Sequence, residues 1–263
     1  MLFSRKLLVA VASMGVAGPV LQGATVQFIE GGGNAFVANY TGVQDAEIFG
    51  YSGSLFDFNS GATNGMQIGT GNANQARKLL VRFDGLNVMA GQYASITSAK
   101  LVLRNLGSAN GGGAFDVSVY QISDANAAWN QGTKAIAAAT AGDVTWNNRV
   151  HGSAAWAGSS GLSTATTDYV ATALDTTTVN YNTPSSTLWE WDLPPSLVNQ
   201  WITGGVNAGL LVTKANESDA TYWGVETSEG SAGPRLVIEY TEVPEPAAIA
   251  LVLPAMLAIR RKR

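Results

Sequence analysis

Apolar residues recur with a period of two in several short stretches, which predicts strands rather than helices. In Lys78–Asp84, Leu79, Val81 and Phe83 share one face, and Phe115, Val117 and Val119 alternate with Asp116, Ser118 and Tyr120. Arg235–Tyr240 repeats the pattern, with Leu236, Ile238 and Tyr240 opposite Arg235, Val237 and Glu239. Lys100–Arg104, Trp189–Leu193, Leu210–Lys214 and Thr221–Val225 add further strands. Half-buried strands joined by turns predict an antiparallel sandwich. One segment has helical spacing instead. Pro194–Ile202 places Leu197 over Trp201 and Val198 over Ile202, with proline at its start and Gly204-Gly205 after it, so a short helix is expected to cap one end. Asp124–Trp129 is a candidate for a single helical turn.

Composition sharpens this picture. The chain has 263 residues, only 13% of them charged, and its 30 glycines punctuate the sequence as turns do. Without the terminal segments, roughly 200–220 residues remain, the size of one large all-β domain. The absence of cysteine removes a disulfide framework, a thiolate metal site and a cysteine nucleophile. The net charge of −4 hides an asymmetry, because Arg5, Lys6, Arg260, Arg261, Lys262 and Arg263 are terminal. From Thr25 to Glu242 there are nine Lys/Arg against 18 Asp/Glu, a net of −9. No basic footprint is left for a nucleic acid, which is excluded as a partner.

The two ends read as addresses. Arg5-Lys6 followed by the apolar run Leu7–Ala17 has the layout of a secretory signal, so residues 1–24 are expected to be a signal helix removed by signal peptidase, after Ala17 or after Ala24. At the other end, Val243-Pro244-Glu245-Pro246 precedes the apolar stretch Ala247–Ile259 and the basic stop Arg260-Arg261-Lys262-Arg263. This three-part tail over residues 243–263 resembles the PEP-CTERM sorting signal of Gram-negative bacteria. The resemblance implies processing by an exosortase-type membrane protease and delivery to the cell surface or the extracellular matrix. The apolar stretch holds 13 residues and contains Pro254. As a helix it spans only about 20 Å of a ~30 Å hydrocarbon core, which suits transient association with the inner membrane.

Between the signals, several segments resemble, in their order, the DNRLRE-type domain of secreted bacterial proteins, a jelly-roll-like sandwich related to carbohydrate-binding modules. They are Asp45–Ile48, Arg77–Asp84, Ser98–Leu103, Trp129, Asp143–Trp146, Trp191–Leu193, Trp201–Gly204 and Gly233–Tyr240. Phe49–Thr70 and Ala135–Gly142 stand out as insertions relative to that pattern. The expected fold is therefore all-β: an antiparallel jelly-roll-like β-sandwich over residues 25–242 with one short helix, flanked by a signal helix and a hydrophobic sorting helix.

Candidate chemistry is sparse. The glycine runs Glu30–Asn34 and Asn110–Ala114 lead into no helix and carry no P-loop lysine, so they read as loops. His151, the only histidine, lies in Asn147–Gly152 with no nucleophile elbow, and it reads as a loop histidine. Glu190/Asp192 and Glu226/Glu229 are the carboxylate pairs a glycosidase would need, although a strand-rich acidic domain offers such pairs as solvated faces. Asp45 and Glu47 are the preferred hard-oxygen ligands for a structural calcium ion. For a sugar, an exposed aromatic ring is the main requirement. Trp129, Trp189, Trp191 and Trp201 sit in core-like patterns, whereas Trp156, in the small-residue stretch Gly152–Ser160, is the preferred stacking platform, followed by Tyr40, Tyr51 and Trp223.

The leading expectation is an exported, non-catalytic surface or matrix protein with weak binding to extracellular polysaccharide. A purely structural surface module and a polysaccharide-degrading enzyme are the alternatives. An exposed Trp156 favours the first and a buried Trp156 the second. The enzyme requires a convergent acid pair, or a Tyr/His/Arg set around His151 and Arg149.

Overall fold

The computed structural model describes residues 22–50, 53–71, 75–110, 113–180, 182–218 and 220–243. The signal segment up to residue 21, Tyr51, and the tail from Pro244 through the basic stop at Arg260–Arg263 lie outside the described residues. The strands are β1 (Gly23–Ile29), β2 (Val43–Phe49), β3 (Phe58–Asn59), β4 (Gly65–Gly71), β5 (Gln75–Phe83), β6 (Tyr93–Asn110), β7 (Ala114–Gln121) and β8 (Ala137–Ala138). They continue with β9 (Asn148–Val150), β10 (Ala154–Ala155), β11 (Asp175–Asn180), β12 (Leu188–Leu193), β13 (Leu210–Lys214), β14 (Tyr222–Glu226) and β15 (Arg235–Glu242). The α-helix α1 (Pro195–Ile202) follows β12. Among the described residues no helix is long and apolar enough to cross a membrane.

The molecule is all-β and every strand pairing is antiparallel. One layer runs β1–β15–β6–β12, and a second contains β2, β5, β13, β7 and β11. β14 and β4 connect the layers, because β6 is long enough to pair with β15 and β12 up to Arg104 and with β14 from Asn105 onward. The layers face each other across one core. Phe28, Leu101, Trp191, Leu236 and Ile238 come from the first layer, and Leu79, Val81, Phe83, Val117 and Val212 from the second. Trp191 also ties them by a polar contact, its indole N–H donating to Val117 O at 2.8 Å. The expected alternation holds in β15 and in the first half of β7, where it ends at the buried Ser118. The helix closes one end as its spacing predicts, with Leu197, Val198, Trp201 and Ile202 buried.

The second layer departs from the expected half-buried pattern. Every residue of β13 is buried, and in β5 Lys78 and Leu80 are buried as well as Leu79 and Val81. The cause is a third layer. Residues 122–169 fold back over the outer face and form a second apolar cluster in which Ile122, Trp129, Val144, Trp156 and Leu162 cover Ala46, Ile48, Leu80 and Leu211. Strands buried on both faces read as continuous apolar runs, and β13 does. The two stretches expected to be insertions belong to this architecture. Phe49–Thr70 contains most of β4, and its β3 pairs with β8 of Ala135–Gly142, Phe58 facing Ala138.

Candidate functional site

The rings expected to stack on a sugar are internal. Trp156 is 5% exposed and its indole N–H donates to the carbonyls of Thr145 and Trp146 at 3.1 and 3.0 Å. The small residues around it let the covering segment close on itself instead of standing out as a loop. Gly161 is one such contact: a Cβ there would stand 2.2 Å from the Trp146 ring, so only glycine permits the approach. Trp223 is fully buried against Trp191, with its N–H on Asn105 Oδ1 at 2.8 Å. Tyr40 packs edge-on against Phe28, its ring centroid 5.0 Å away, and its hydroxyl donates to Asp84 O at 2.6 Å. Burial, helped by the charges of Asp84 and Glu30, raises its phenol well above the ordinary range. Tyr51, the remaining ring, is outside the described residues. Of the tryptophans expected in the core, Trp129, Trp191 and Trp201 are buried, and Trp189 is half-buried.

The carboxylates gather at one rim of the sandwich, where β2, the loop after β14 and residues 130–132 meet. Asp45 is fully buried and accepts from Ser228 N at 2.7 Å and Ser228 Oγ at 3.0 Å. Burial, with the nearby Glu229 charge, pushes its carboxyl up to about 7. Glu47 accepts from Gln67 N at 2.8 Å and pairs with Arg77 at 3.1 Å. Burial raises it to about 7 against the pull of Arg77. Hydrogen-bond donors occupy both carboxylates. The pair expected to hold calcium is thus committed to internal contacts and does not fit a cation site. Among the described residues, no group of three or more His, Cys, Asp or Glu side chains is placed to hold a metal ion.

Two clefts open at this rim and share Glu229. One, of about 410 Å³, is lined by Glu30, Gln44, Gln131 and Ser228 among others, and one of about 590 Å³ by Asn64, Arg104, Leu106, Glu226 and Ser231. Their acids are also engaged. Glu226 binds Arg104, Ala232 N at 3.0 Å and Ser231 Oγ at 3.2 Å. Burial pushes its carboxyl up, but Arg104 and the other donors prevail and hold it below the usual range. Glu229 is held by Gln131, and burial raises it. The other pair, Glu190 and Asp192, shares Lys100 at 2.7 and 4.0 Å on the exposed face of β12 and β6. His151 Nδ1 is buried without a partner, and the neighbouring Arg149 donates to Ala127 O at 2.8 Å.

Sequence reasoning missed the polar residues that organise these regions. Asn59 is fully buried, donates to the carbonyls of Gln131 and Val144, and accepts from Gly61 N and Lys134 N. Asp168, in the covering layer, accepts from the amides of Gly158, Ser159 and Thr164 and from Asn126. Asn105 sits where β6 passes between layers, and it donates to Thr183 O and Pro184 O while accepting from Trp223 and Gly107. A Cβ on Gly158 would meet the Asp168 carboxylate at 2.7 Å, so the loop's approach to that acid needs glycine there. No protein-family model matches the chain, and no curated protein matches it significantly.

Proposed function

We propose that this chain is an exported, non-catalytic structural module of a bacterial cell surface or extracellular matrix, its sandwich of the DNRLRE-type jelly-roll kind. The observation that carries this reading is the fate of the rings. Trp156, Tyr40 and Trp223 each point inward and spend their polar atoms on the protein's own backbone or on Asn105. A glycan platform needs a flat ring facing solvent, and these rings serve the layers instead. The carboxylates follow the same logic, since Asp45, Glu47 and Glu226 lock the rim rather than face a substrate.

The address segments supply the location. The tail from Val243 to Arg263, which resembles a PEP-CTERM signal, directs the protein to an exosortase-type protease, and the N-terminal segment directs it to signal peptidase. β1 bears on the second cut. Glu242 N–H donates to Gln22 O, and Gly23 and Ala24 pair with Thr241 and Tyr240. Cleavage after Ala17 leaves that ladder whole, whereas cleavage after Ala24 removes its first pairs.

The deciding experiment screens the purified protein against a glycan array with and without chelator, alongside fractionation of cells expressing the full chain or a chain lacking residues 244–263. No glycan signal in either condition, with surface location lost on truncation, is the expected result. Saturable binding to a polysaccharide, or unchanged location, overturns the reading.

A further inference from the structure

The sandwich treats its strand edges unequally. Along β2, the amides of Val43, Asp45 and Glu47 that point away from β5 are taken by Glu30 Oε2, Gln131 Oε1 and Ser60 Oγ at 3.0–3.1 Å. The gap between β11 and β12 is bridged by side chains, Thr177 Oγ1 donating to Glu190 O and Asp192 N to Asp175 Oδ2, both at 2.8 Å. Among the described residues, β1 has no such cover over its first half. In an antiparallel strand the N–H and C=O of one residue point the same way, and successive residues alternate. Gln22 O faces β15, where it accepts from Glu242 N, so Gly23, Thr25 and Gln27 face outward. Asn34 Nδ2 on Gln27 O at 2.8 Å marks that same outward side. All three residues are exposed, and a Cβ on Gly23 would meet nothing within 4 Å. A cleft of about 430 Å³ lined by Thr25, Val26, Gln27, Asn34 and others runs beside the strand. Gly-Ala-Thr-Val-Gln-Phe-Ile contains neither the proline nor the charges that protect edge strands.

We propose that a second copy of this chain docks on that edge, β1 against β1, about a two-fold axis at Thr25. The free positions are self-complementary about that residue. Thr25 exchanges both backbone hydrogen bonds with Thr25 of the second copy, and Gly23 and Gln27 exchange theirs with its Gln27 and Gly23. About six bonds form in all, and the first layer continues through the dimer at strand spacing. Gln27 O accepts a second bond on its free lone pair. Thr25 also meets its own copy on the solvent face, a favourable cross-strand pair. This inference rests on the structural reading and supplies its means of assembly.

Sedimentation velocity of the purified full chain at concentrations up to about 0.1 mM tests it. Thr25→Pro removes the central donor at a position where an edge strand tolerates proline. Thr25→Lys places a charge there, and Thr25→Val keeps the backbone pairing. Wild type and Thr25→Val are expected to dimerise, and Thr25→Pro and Thr25→Lys to do so at least ~10-fold more weakly, with unchanged thermal melting. If Thr25→Pro does not fold, Thr25→Lys decides. A monomeric wild type, or lysine and proline variants that dimerise like it, overturns the proposal. The glycan screen reads separately: a monomer that binds no glycan removes only the dimer, and a dimer that binds glycan removes only the ligand-free module.

Discussion

Replacing Trp156 by alanine separates a core residue from a surface platform. The indole is 5% exposed, lies among Ala46, Leu80, Trp129 and their neighbours, and donates to two carbonyls. A buried aromatic side chain removes roughly 150–250 Å² from water. At ~25 cal/mol per Å² that is about 4–6 kcal/mol, reduced by some 10–40% because a denatured chain is already partly collapsed. The expected loss is therefore about 3–5 kcal/mol, within the range found for aromatic-to-alanine changes in cores. A solvent-facing tryptophan would cost within ~0.5 kcal/mol. Urea unfolding, followed by circular dichroism to avoid the lost fluorophore, reads the difference as a lower midpoint at unchanged slope. Trp156→Phe keeps most of the apolar area but loses the N–H, so about 1–2 kcal/mol is expected from the missing hydrogen bonding. A loss below ~1 kcal/mol for the alanine variant, outside the measured spread for cores, would refute the assignment of this ring to the covering layer.

The rim carboxylates give a pH dependence of opposite sign to ordinary acid unfolding. Asp45 and Glu47 are raised in the folded state to about 7, so the fold binds more protons than the unfolded chain between about pH 4 and 7. Their contribution is fully present below the unfolded values and is lost as pH rises through 7. Stability in thermal melts should thus rise by up to about 5 kcal/mol from pH 8 to pH 5, about half from each group, and Asp45→Asn should roughly halve that slope. A slope that Asp45→Asn leaves unchanged counts against the assignment. Gly161 has φ +71° and no room beside Trp146. Gly161→Ala should therefore cost about 2–4 kcal/mol, the left-handed penalty plus overpacking. Gly85→Ala, at φ +73° with nothing within 4 Å, should cost only about 1–2 kcal/mol in the same thermal melts.

What the sequence made legible were segments whose two faces meet different surroundings. Arg235–Tyr240 alternates because one face meets the core and the other solvent, so period two survives there, whereas in Phe115–Tyr120 it fades where Tyr120 meets the covering layer. Where the third layer lies on the sheet the contrast disappears. Leu80 and Lys78 sit on the outer face of β5 and are buried all the same, the lysine amine lowered by burial and bound to Gly161 O at 3.0 Å. β4 and β11 were invisible for a different reason. Gly65-Met-Gln-Ile-Gly-Thr-Gly71 has the glycine content of a loop, and Asp175-Thr-Thr-Thr-Val-Asn180 has strand-forming residues but no apolar alternation, so pairing with β14, β5 and β7 is what marks them as strands. Tertiary context outweighs a weak local preference there.

The same layer explains why the site residues were misplaced, and it bears on function. A cysteine-free domain with few charges must fix its long covering segment without disulfides, and the pins are buried polar groups. Asp168 collects three loop amides, Asn59 joins β3 to residues 131–144, and Asn105 holds the crossing of β6. A buried polar group is stabilising only when its bonds are made within the protein, so each pin is saturated by design. Saturation has a consequence for ligands: a carboxylate or amide already holding three or four internal partners offers little to a sugar hydroxyl or a cation. Asp45 and Glu47 were attractive as ligands because acids two residues apart on a strand share a face. Here Asp45 closes the edge of β2 against the loop at residue 228, whereas Glu47 ties β2 to Gln67 of β4 and Arg77 of β5. The chemistry visible in the sequence is therefore used to hold three layers together, and the outward backbone groups of Gly23 and Thr25 on β1 are not taken up by any described side chain.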